Sequence, residues 1–487
     1  MTRVFQNLKP ERVWYYFEEI SKIPRCSENM EGITDFILQF AREHGLAHRK
    51  DSASNILVIK PAAPGLEKTP VVVLQSHLDM VCEKNSDSTH DFTNHPVKMK
   101  VEAGSVMAEG TTLGGDNGIG IAAMLALLEH PSLPAGMLEC LFTVDEEIGL
   151  KGAFALDTSL LKGRMLVNLD SEEVGSIYIG CAGGKDSEIT LPIRWTVPTK
   201  EECSLRLIVR GLRGGHSGVD IHSGRANAIK LLARILFHLK GQLSIRVVSF
   251  TGGDKLNAIP REASVLIAVR KEDTVRAHKL FDTHCSALKK EYYGVEPEIA
   301  FTMQDEKHTD KLLDADSSEM FVNLLSAIPH GVLAMSPIIE GLVETSTNLA
   351  SVRTRTEAVH LAASHRSSVD SALNWVCDVH RAIAAMAGAE IEQNEGYPGW
   401  SPDEGSKLLK YAKEVVKKVS GGEARVMAIH AGLECGIIKR KYKGMDAISI
   451  GPTITGAHSP QEKVDIESVE TFWKVLLQIL QEVYGER

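Results

Sequence analysis

The sequence predicts an α/β fold with a mainly parallel central sheet, interrupted by an inserted α+β domain. Three observations carry that prediction. Short apolar runs of the kind buried inside an α/β sheet alternate with helical stretches up to Asp170. Beyond it the strands alternate polar with apolar residues, as in Ser204–Arg210. A stretch rich in Gly, Pro and acid, EQNEGYPGWSPDEGS (Glu392–Ser406), then precedes the helical run Lys407–Val419, which leads the chain back into the first domain. The expected division is residues 1–186 and 398–487 for the α/β part, with 187–397 as the insert.

Val13–His44 has helical spacing, with Phe17, Ile20, Phe36, Ile37 and Phe40 on apolar faces around a break at Ile23-Pro24-Arg25. Asn55–Lys60 and Val71–Gln75 read as short strands, the second an unbroken apolar run. The period switches in Thr111–His130, where the glycine-rich turn TLGGDNGIG opens onto the apolar helix IAAMLALLEH. Leu138–Val144 and Met165–Leu169 supply two further buried strands. The insert, about 210 residues, is itself domain-sized. It reads as doubled. Ser204–Arg210, the helix Gly224–Lys240, the strands Ile245–Phe250 and Ala263–Arg270 and the helix Val275–Lys290 form one set. Ser318–Ile328, Leu349–Arg353, Ala358–Ala363 and the helix Asp370–Ala387 repeat a similar order.

The chain has 487 residues, 54 basic and 64 acidic, for a formal charge of −10, and 43% of them are hydrophobic. That apolar fraction excludes whole-chain disorder, and the acidic balance disfavours nucleic acid and anionic membrane as partners. Charges interrupt every candidate span before the roughly 18 apolar residues that a membrane helix needs. The N-terminus lacks the apolar region of a secretion signal, so a cytoplasmic protein is expected. Eight scattered cysteines without a CxxC pair read as reduced core thiols.

Residues that carry chemistry sit where these elements end. His77 and Asp79 in QSHLDM are spaced so that a carboxylate can hold one imidazole nitrogen while the other binds a metal. Asp116 lies in the glycine turn before a helix, as an N-cap or as a ligand. Asp145-Glu146-Glu147 places three adjacent carboxylates at a strand end, which repel one another unless something positive compensates or solvent covers them. Strand alternation is expected to send Glu146 and Glu147 to opposite sides. Asp170 ends another apolar run, and His458 lies in the loop GPTITGAHSPQE. All belong to what should be one edge of one sheet, where open α/β sheets bind ligands. Two imidazoles and several carboxylates match zinc first, then manganese or cobalt, with two ions sharing one carboxylate.

SHLDM, GGDNGIG, DEEIG, NLD, GGHSG and GAHSP, in this order and spacing, resemble the aminoacylase/carnosinase family of two-zinc exopeptidases and amidohydrolases. The phrases LRGGHSGVDIH and HAGLECG look most like its aminoacyl-histidine dipeptidase (Xaa-His dipeptidase) branch. The resemblance implies a zinc-exopeptidase-like catalytic domain carrying an inserted lid domain, and hydrolysis of Xaa-His dipeptides, carnosine included. It assigns His77 and Asp170 to one ion, Glu147 and His458 to the other, and Asp116 to both, followed by a cis peptide. Asp79 would orient His77, and Glu146 would serve as general base and then acid. In the insert, His216 would donate to the oxyanion, Asn257 would touch the scissile group or the substrate carboxylate, and Arg366 would clamp that carboxylate. Gly432 would let substrate approach the backbone, and Glu434 would attract an N-terminal amine. His430, in the same phrase, receives no role. A homodimer through the lid is one implied assembly, and supply of His216 within a single chain is the other. A tripeptidase, an N-acyl amino acid deacylase and a non-catalytic metal-binding protein are the alternatives.

Overall fold

The computed structural model describes residues 3–485 except 132, 134 and 308. The chain divides into two units. The first comprises Met1–Cys181, Trp400–Ala428 and Leu433–Arg487, and the second Ala182–Gly399 with Ile429–Gly432. The four residues Ile429–Gly432, expected in the α/β part, therefore group with the insert.

In the first unit the apolar runs become the middle of an eight-stranded sheet. Its order is Ala47–Lys50, Ile56–Lys60, Leu138–Thr143, Val72–His77, Met165–Asn168, Asp446–Ser449, Ser176–Cys181 and Arg425–Ile429. The four central strands, from Leu138–Thr143 to Asp446–Ser449, run parallel. Antiparallel pairs flank them on both sides. Every residue of Val72–His77 and of Leu138–Thr143 is buried, as expected of strands covered on both faces. The helix Gly115–Glu129 is buried nearly all round and packs on the helix Glu11–Ile20. Lys407–Ser420 and Ile466–Gly485 pack on each other, and the first carries a side-chain cap, Ser406 Oγ accepting from Leu409 N.

The second unit is built around a nine-stranded sheet that contains two strand-helix-strand-strand-helix-strand sets. One set is Glu202–Arg210, helix Ala228–Lys240, Arg246–Gly252, Ala263–Arg270, helix Thr274–Glu291 and Ala300–Glu306. The other is Gly183–Pro192, helix Ala315–Ala327, Val343–Thr354, Ala358–Ser367, helix Asp370–Met386 and Glu390–Gln393. Numbered within each set, the strand order across the sheet is 4-1-3-2 followed by 2-3-1-4, the two second strands pairing antiparallel at Thr251↔Arg353. Sequence periodicity missed the opening strand of the second set, Gly183–Pro192, because the whole first set is threaded between that strand and its helix. Phe250 from one set meets Phe321 from the other edge to face, 5.7 Å between ring centroids, inside a continuous apolar core.

The cysteine reading needs one correction. Cys26 and Cys82 form a disulfide, their Cα atoms 5.7 Å apart, within the range a bridge requires. They are 56 residues apart in sequence and meet because Cys26 pairs with Met80 in an isolated bridge, which no local spacing reveals. Five of the other six are buried thiols, and Cys203 is half-buried. Among the described residues, no helix is long and apolar enough to cross a membrane.

Candidate metal centre

Three parallel strands deliver chemistry to one edge. His77 ends Val72–His77, Asp170 follows Met165–Asn168, and Glu146 and Glu147 follow Leu138–Thr143. Asp116 enters at the start of the helix Gly115–Glu129, and His458 comes from the loop between Ile454–Thr455 and Lys463–Asp465. The Asp116–Asn117 peptide is cis.

Asp116 turns one oxygen to each histidine. Its Oδ1 is 3.0 Å from His77 Nε2 and its Oδ2 is 3.2 Å from His458 Nε2. Each histidine has a second carboxylate. Asp170 Oδ1 lies 3.2 Å from His77 Nε2, and Glu147 Oε2 lies 3.1 Å from His458 Nε2. Three clusters thus form, His77/Asp116/Asp170, Asp116/Glu147/His458 and His77/Glu146/Glu147, each with its candidate ligand atoms within 4.8 Å of one another, and the first two share Asp116. On its far side, His77 Nδ1 is 3.4 Å from Asp79 Oδ1 and 3.1 Å from the Asp79 carbonyl, which fixes the ring.

The acidic turn is not oriented by strand alternation, because the strand stops at Thr143. Asp79 orients it instead. Its two oxygens accept the backbone N–H of Glu146 (3.0 Å) and of Glu147 (3.1 Å), and Ser27 Oγ donates to it at 2.8 Å. Burial works against the Asp79 carboxylate, but the hydrogen bond and charge of His77, with the bonds from Ser27 and Glu146, hold it down to about 2.

Carboxylates at this density demand positive charge. Burial disfavours a charged His77, yet Asp170 and Asp116 outweigh it and hold the ring well above the usual histidine range. Hydrogen bonds to Asp116 and Glu147 push His458 up to about 11. Burial drives Asp170 to about 6 and Glu146 well above the carboxylate range. Glu147 Oε1 is buried without a hydrogen-bond partner. The nitrogen and oxygen atoms that compete for protons here are a fitting donor set for two divalent ions, with Asp116 shared.

Sequence reasoning missed two residues that build the frame. Glu462 accepts the backbone N–H groups of Leu113 (2.8 Å), Gly114 (3.0 Å), Gly115 (2.7 Å) and Asp116 (3.3 Å), clamping the glycine loop. Buried Arg25 donates to the carbonyls of Leu78 (3.0 Å), Asp79 (3.1 Å) and Gly114, holding the post-strand turn and the glycine loop together. Their signal lies in backbone contacts more than 50 residues away, which no local pattern encodes.

The remaining expected site residues belong to the second unit. His216 Nδ1 accepts the N–H of Gly218 (3.2 Å) and Val219 (3.0 Å), so in the neutral ring Nε2 carries the proton as a free donor. Asn257 has an exposed side chain, and its carbonyl accepts from Ser217 N at 2.8 Å. Arg366 is buried, donates to Tyr397 Oη at 2.9 Å and leaves Nε without a partner. Gly432 faces the Tyr397 ring, where a Cβ would lie 2.9 Å from Cε2. His430 is buried, with Nε2 2.7 Å from Ser346 Oγ.

Comparison with known proteins shows the family of the chain. Residues 73–482 match the peptidase family M20/M25/M40. The cytosol non-specific dipeptidase of Escherichia coli (strain K12) is 41% identical over 477 residues, 98% of each chain. The crystal structure of aminoacylhistidine dipeptidase from Vibrio alginolyticus gives a TM-score of 0.92 at 40% identity, over 98% of each chain. A tripeptidase structure from Staphylococcus aureus, at 18% identity and TM-score 0.57 over 98% of this chain and 100% of that one, shares the fold. A family match across most of the sequence, joined to a full-length relative of this identity, means that the chain belongs to peptidase family M20/M25/M40.

Proposed function

We propose that this protein is a two-metal dipeptidase that hydrolyses the peptide bond of Xaa-His dipeptides, β-alanyl-histidine among them. One observation carries the reading: a single carboxylate, Asp116, stands between two histidines that each have a further carboxylate of their own, with the half-buried Glu146 beside them. The substrate class is supported by the dipeptidases of Escherichia coli and Vibrio alginolyticus that the chain resembles along its whole length.

His77, Asp170, Asp116, Glu147 and His458 would hold the ions. Once bound, the ions supply Lewis-acid polarisation and a more acidic water, chemistry for which zinc suits this donor set first and manganese or cobalt can substitute. Glu146 takes the proton of the attacking water and returns it to the departing amine. Burial keeps its carboxyl reluctant to stay ionised, as a group that must pick up and release a proton near neutral pH requires. Asp79 keeps Glu146 in place through the backbone and His77 through its ring. Substrate contacts by His216, Asn257, Arg366 and Gly432 belong to the same proposal, His216 as the Nε2–H donor and Arg366 as the carboxylate clamp. A cytosolic location and a homodimer through the second unit are further parts of it. The first is supported by the name of the Escherichia coli relative, and a monomer by light scattering removes the second.

The test is a peptide panel of carnosine, Gly-His, a tripeptide and an acetylated amino acid, offered to chelated and to metal-reloaded protein. Turnover of the Xaa-His dipeptides by the reloaded protein alone is the expected result. A fully loaded preparation that cuts only the tripeptide or the acetylated compound rules the reading out.

A further inference from the structure

Asn348 lies in the strand Val343–Thr354 of the second unit and is buried. It stands two residues from Ser346, whose partner on the next strand is Arg366, so Asn348 and Arg366 share one face of the sheet. The turn that carries His216 reaches the same face, since a Cβ on Gly218 would lie 3.0 Å from Arg366 Nε.

The loop with Asn257 is fastened at this place. Asn348 Nδ2 donates to the carbonyls of Leu256 (3.2 Å) and Ala258 (2.9 Å), one on each side of Asn257. The Asn257 carbonyl accepts from Ser217 N at 2.8 Å. Every backbone carbonyl from Leu256 to Ala258 is therefore engaged, while the side chain of Asn257 stays exposed. The His216 turn has support of its own. Asp220 Oδ2 accepts from His216 N at 2.9 Å, and Arg225 links Asp220 Oδ1 (2.9 Å) to the Gly214 carbonyl (2.6 Å). Loss of the Asn348 amide would thus fall on Asn257 first.

The same amide carries a penalty. Its Oδ1 is buried without a hydrogen-bond partner, which destabilises the folded state. Turning the amide over would set that oxygen against two carbonyl oxygens, so its orientation is fixed. Leu256 and Asn257 are exposed, and water could serve their stretch of backbone without any buried amide. Stability alone gives little reason for an asparagine here, whereas a need to hold Asn257 still does.

We propose that Asn348 is a positioning residue for substrate binding, which pins residues 256–258 so that the Asn257 side chain meets the substrate in one geometry. The inference rests on the dipeptidase reading above and on the contact with substrate that it gives Asn257.

Metal-loaded parent, Asn348→Leu, Asn257→Ala and the double variant, each offered Gly-His, test it. Asn348→Leu is apolar and of similar size, and should lower kcat/KM by about 10–100-fold, through whichever of kcat and KM the Asn257→Ala variant changes. Added to Asn257→Ala, it should cost less than about a further threefold, because the group that it positions is already gone. Its metal content and thermal unfolding should stay close to the parent's, and hydrogen exchange across residues 254–259 should quicken. Asn348→Ala takes its place should the leucine variant not fold.

Losses that multiply in the double variant overturn the inference and leave the dipeptidase reading standing. An Asn257→Ala variant that loses nothing does the same, as does an Asn348 variant that keeps the parent's turnover or loses turnover with unchanged exchange in the loop. Failure of both Asn348 variants to fold makes the residue structural and also overturns it. A parent that leaves Gly-His uncut overturns the dipeptidase reading and this inference with it.

Discussion

Asp116 is the residue on which both halves of the proposed metal centre would depend, because each of its oxygens faces a different histidine. Replacing it with Ala should therefore lower bound metal toward zero ions per chain. Asp170→Ala removes a ligand from one cluster only and should leave about one ion, as elemental analysis of dialysed protein would read. Equal stoichiometry in the two variants would contradict the shared carboxylate. Glu146→Gln should keep the metal and lose about 10²–10⁴-fold in kcat, since it removes the proton carrier and no ligand. Retained turnover would take Glu146 out of the mechanism. The candidate ligands and base were legible in the sequence because His77, Glu146, Glu147 and Asp170 follow apolar strands with groups that need pairing, while Asp116 and His458 stand in glycine-rich loops. Glu462 and Arg25 were not, because they act on backbone N–H and carbonyl groups, and any sequence supplies those.

At the scale of elements, the glycine turn shows what a motif conceals. The crowd of glycines in GGDNGIG suggests a backbone drawn close to an ion. Only Gly114 among them has a positive φ, 72°. Gly120 is there for room. A Cβ at that position would lie 2.1 Å from Asn117 Oδ1, 2.4 Å from Ser76 Oγ and 2.9 Å from the Leu169 carbonyl, so the helix could not approach the strand ends that carry His77 and Asp170. Gly120→Ala should cost about 1–3 kcal/mol in denaturant unfolding and weaken metal retention together, because the same contact positions both. Loss of neither would show that the contact relaxes freely. The disulfide belongs to this scale too. It ties the Cys26 segment, with Arg25 and Ser27, to the turn after Val72–His77. Cys82→Ser should lower stability by about 2–4 kcal/mol under oxidising conditions and by nothing in dithiothreitol, where the parent should match it. A stability gap that persists in reductant would mean that the bridge is not the cause. Such bridges are rare in reducing compartments, so the redox state of this pair in the cell bears directly on the proposed location.

At the scale of the whole molecule, the helices and buried strands of the first unit were readable from hydrophobic period, whereas the second unit's order was not, because its second set begins before its first. The two units also differ in how they meet acid. The second unit buries neutral histidines. Among the described residues the His365 ring bonds hydroxyls alone, Ser187 Oγ at 2.7 Å and Thr347 Oγ1 at 2.8 Å, and its centroid lies 4.3 Å from that of buried His380. Burial, then the neighbouring imidazole, pushes His365 well below the usual range. Burial lowers His380 as well, and burial followed by the Arg366 charge takes His430 down to about 3. Each folded value lies below the ordinary 6.5, so between the two the unfolded chain binds more protons than the folded one. Stability is then fully present above about pH 6.5 and is lost as pH falls; for His430, down at about 3, the loss is on the order of 2 kcal/mol by pH 5. In the metal-free first unit, burial raises Glu434 to about 8, which has the opposite sign, since protonation there favours the folded form. Moving the metal-free protein from pH 7.5 to 5 should therefore loosen the second unit first. Hydrogen exchange corrected for intrinsic rates should show lost protection in Val343–Thr354, Ala358–Ser367 and Asp370–Met386, while Val72–His77 and Leu138–Thr143 stay protected. Protection that falls equally in both units, or first in the strands of the first, would refute a histidine-based origin for the acid sensitivity.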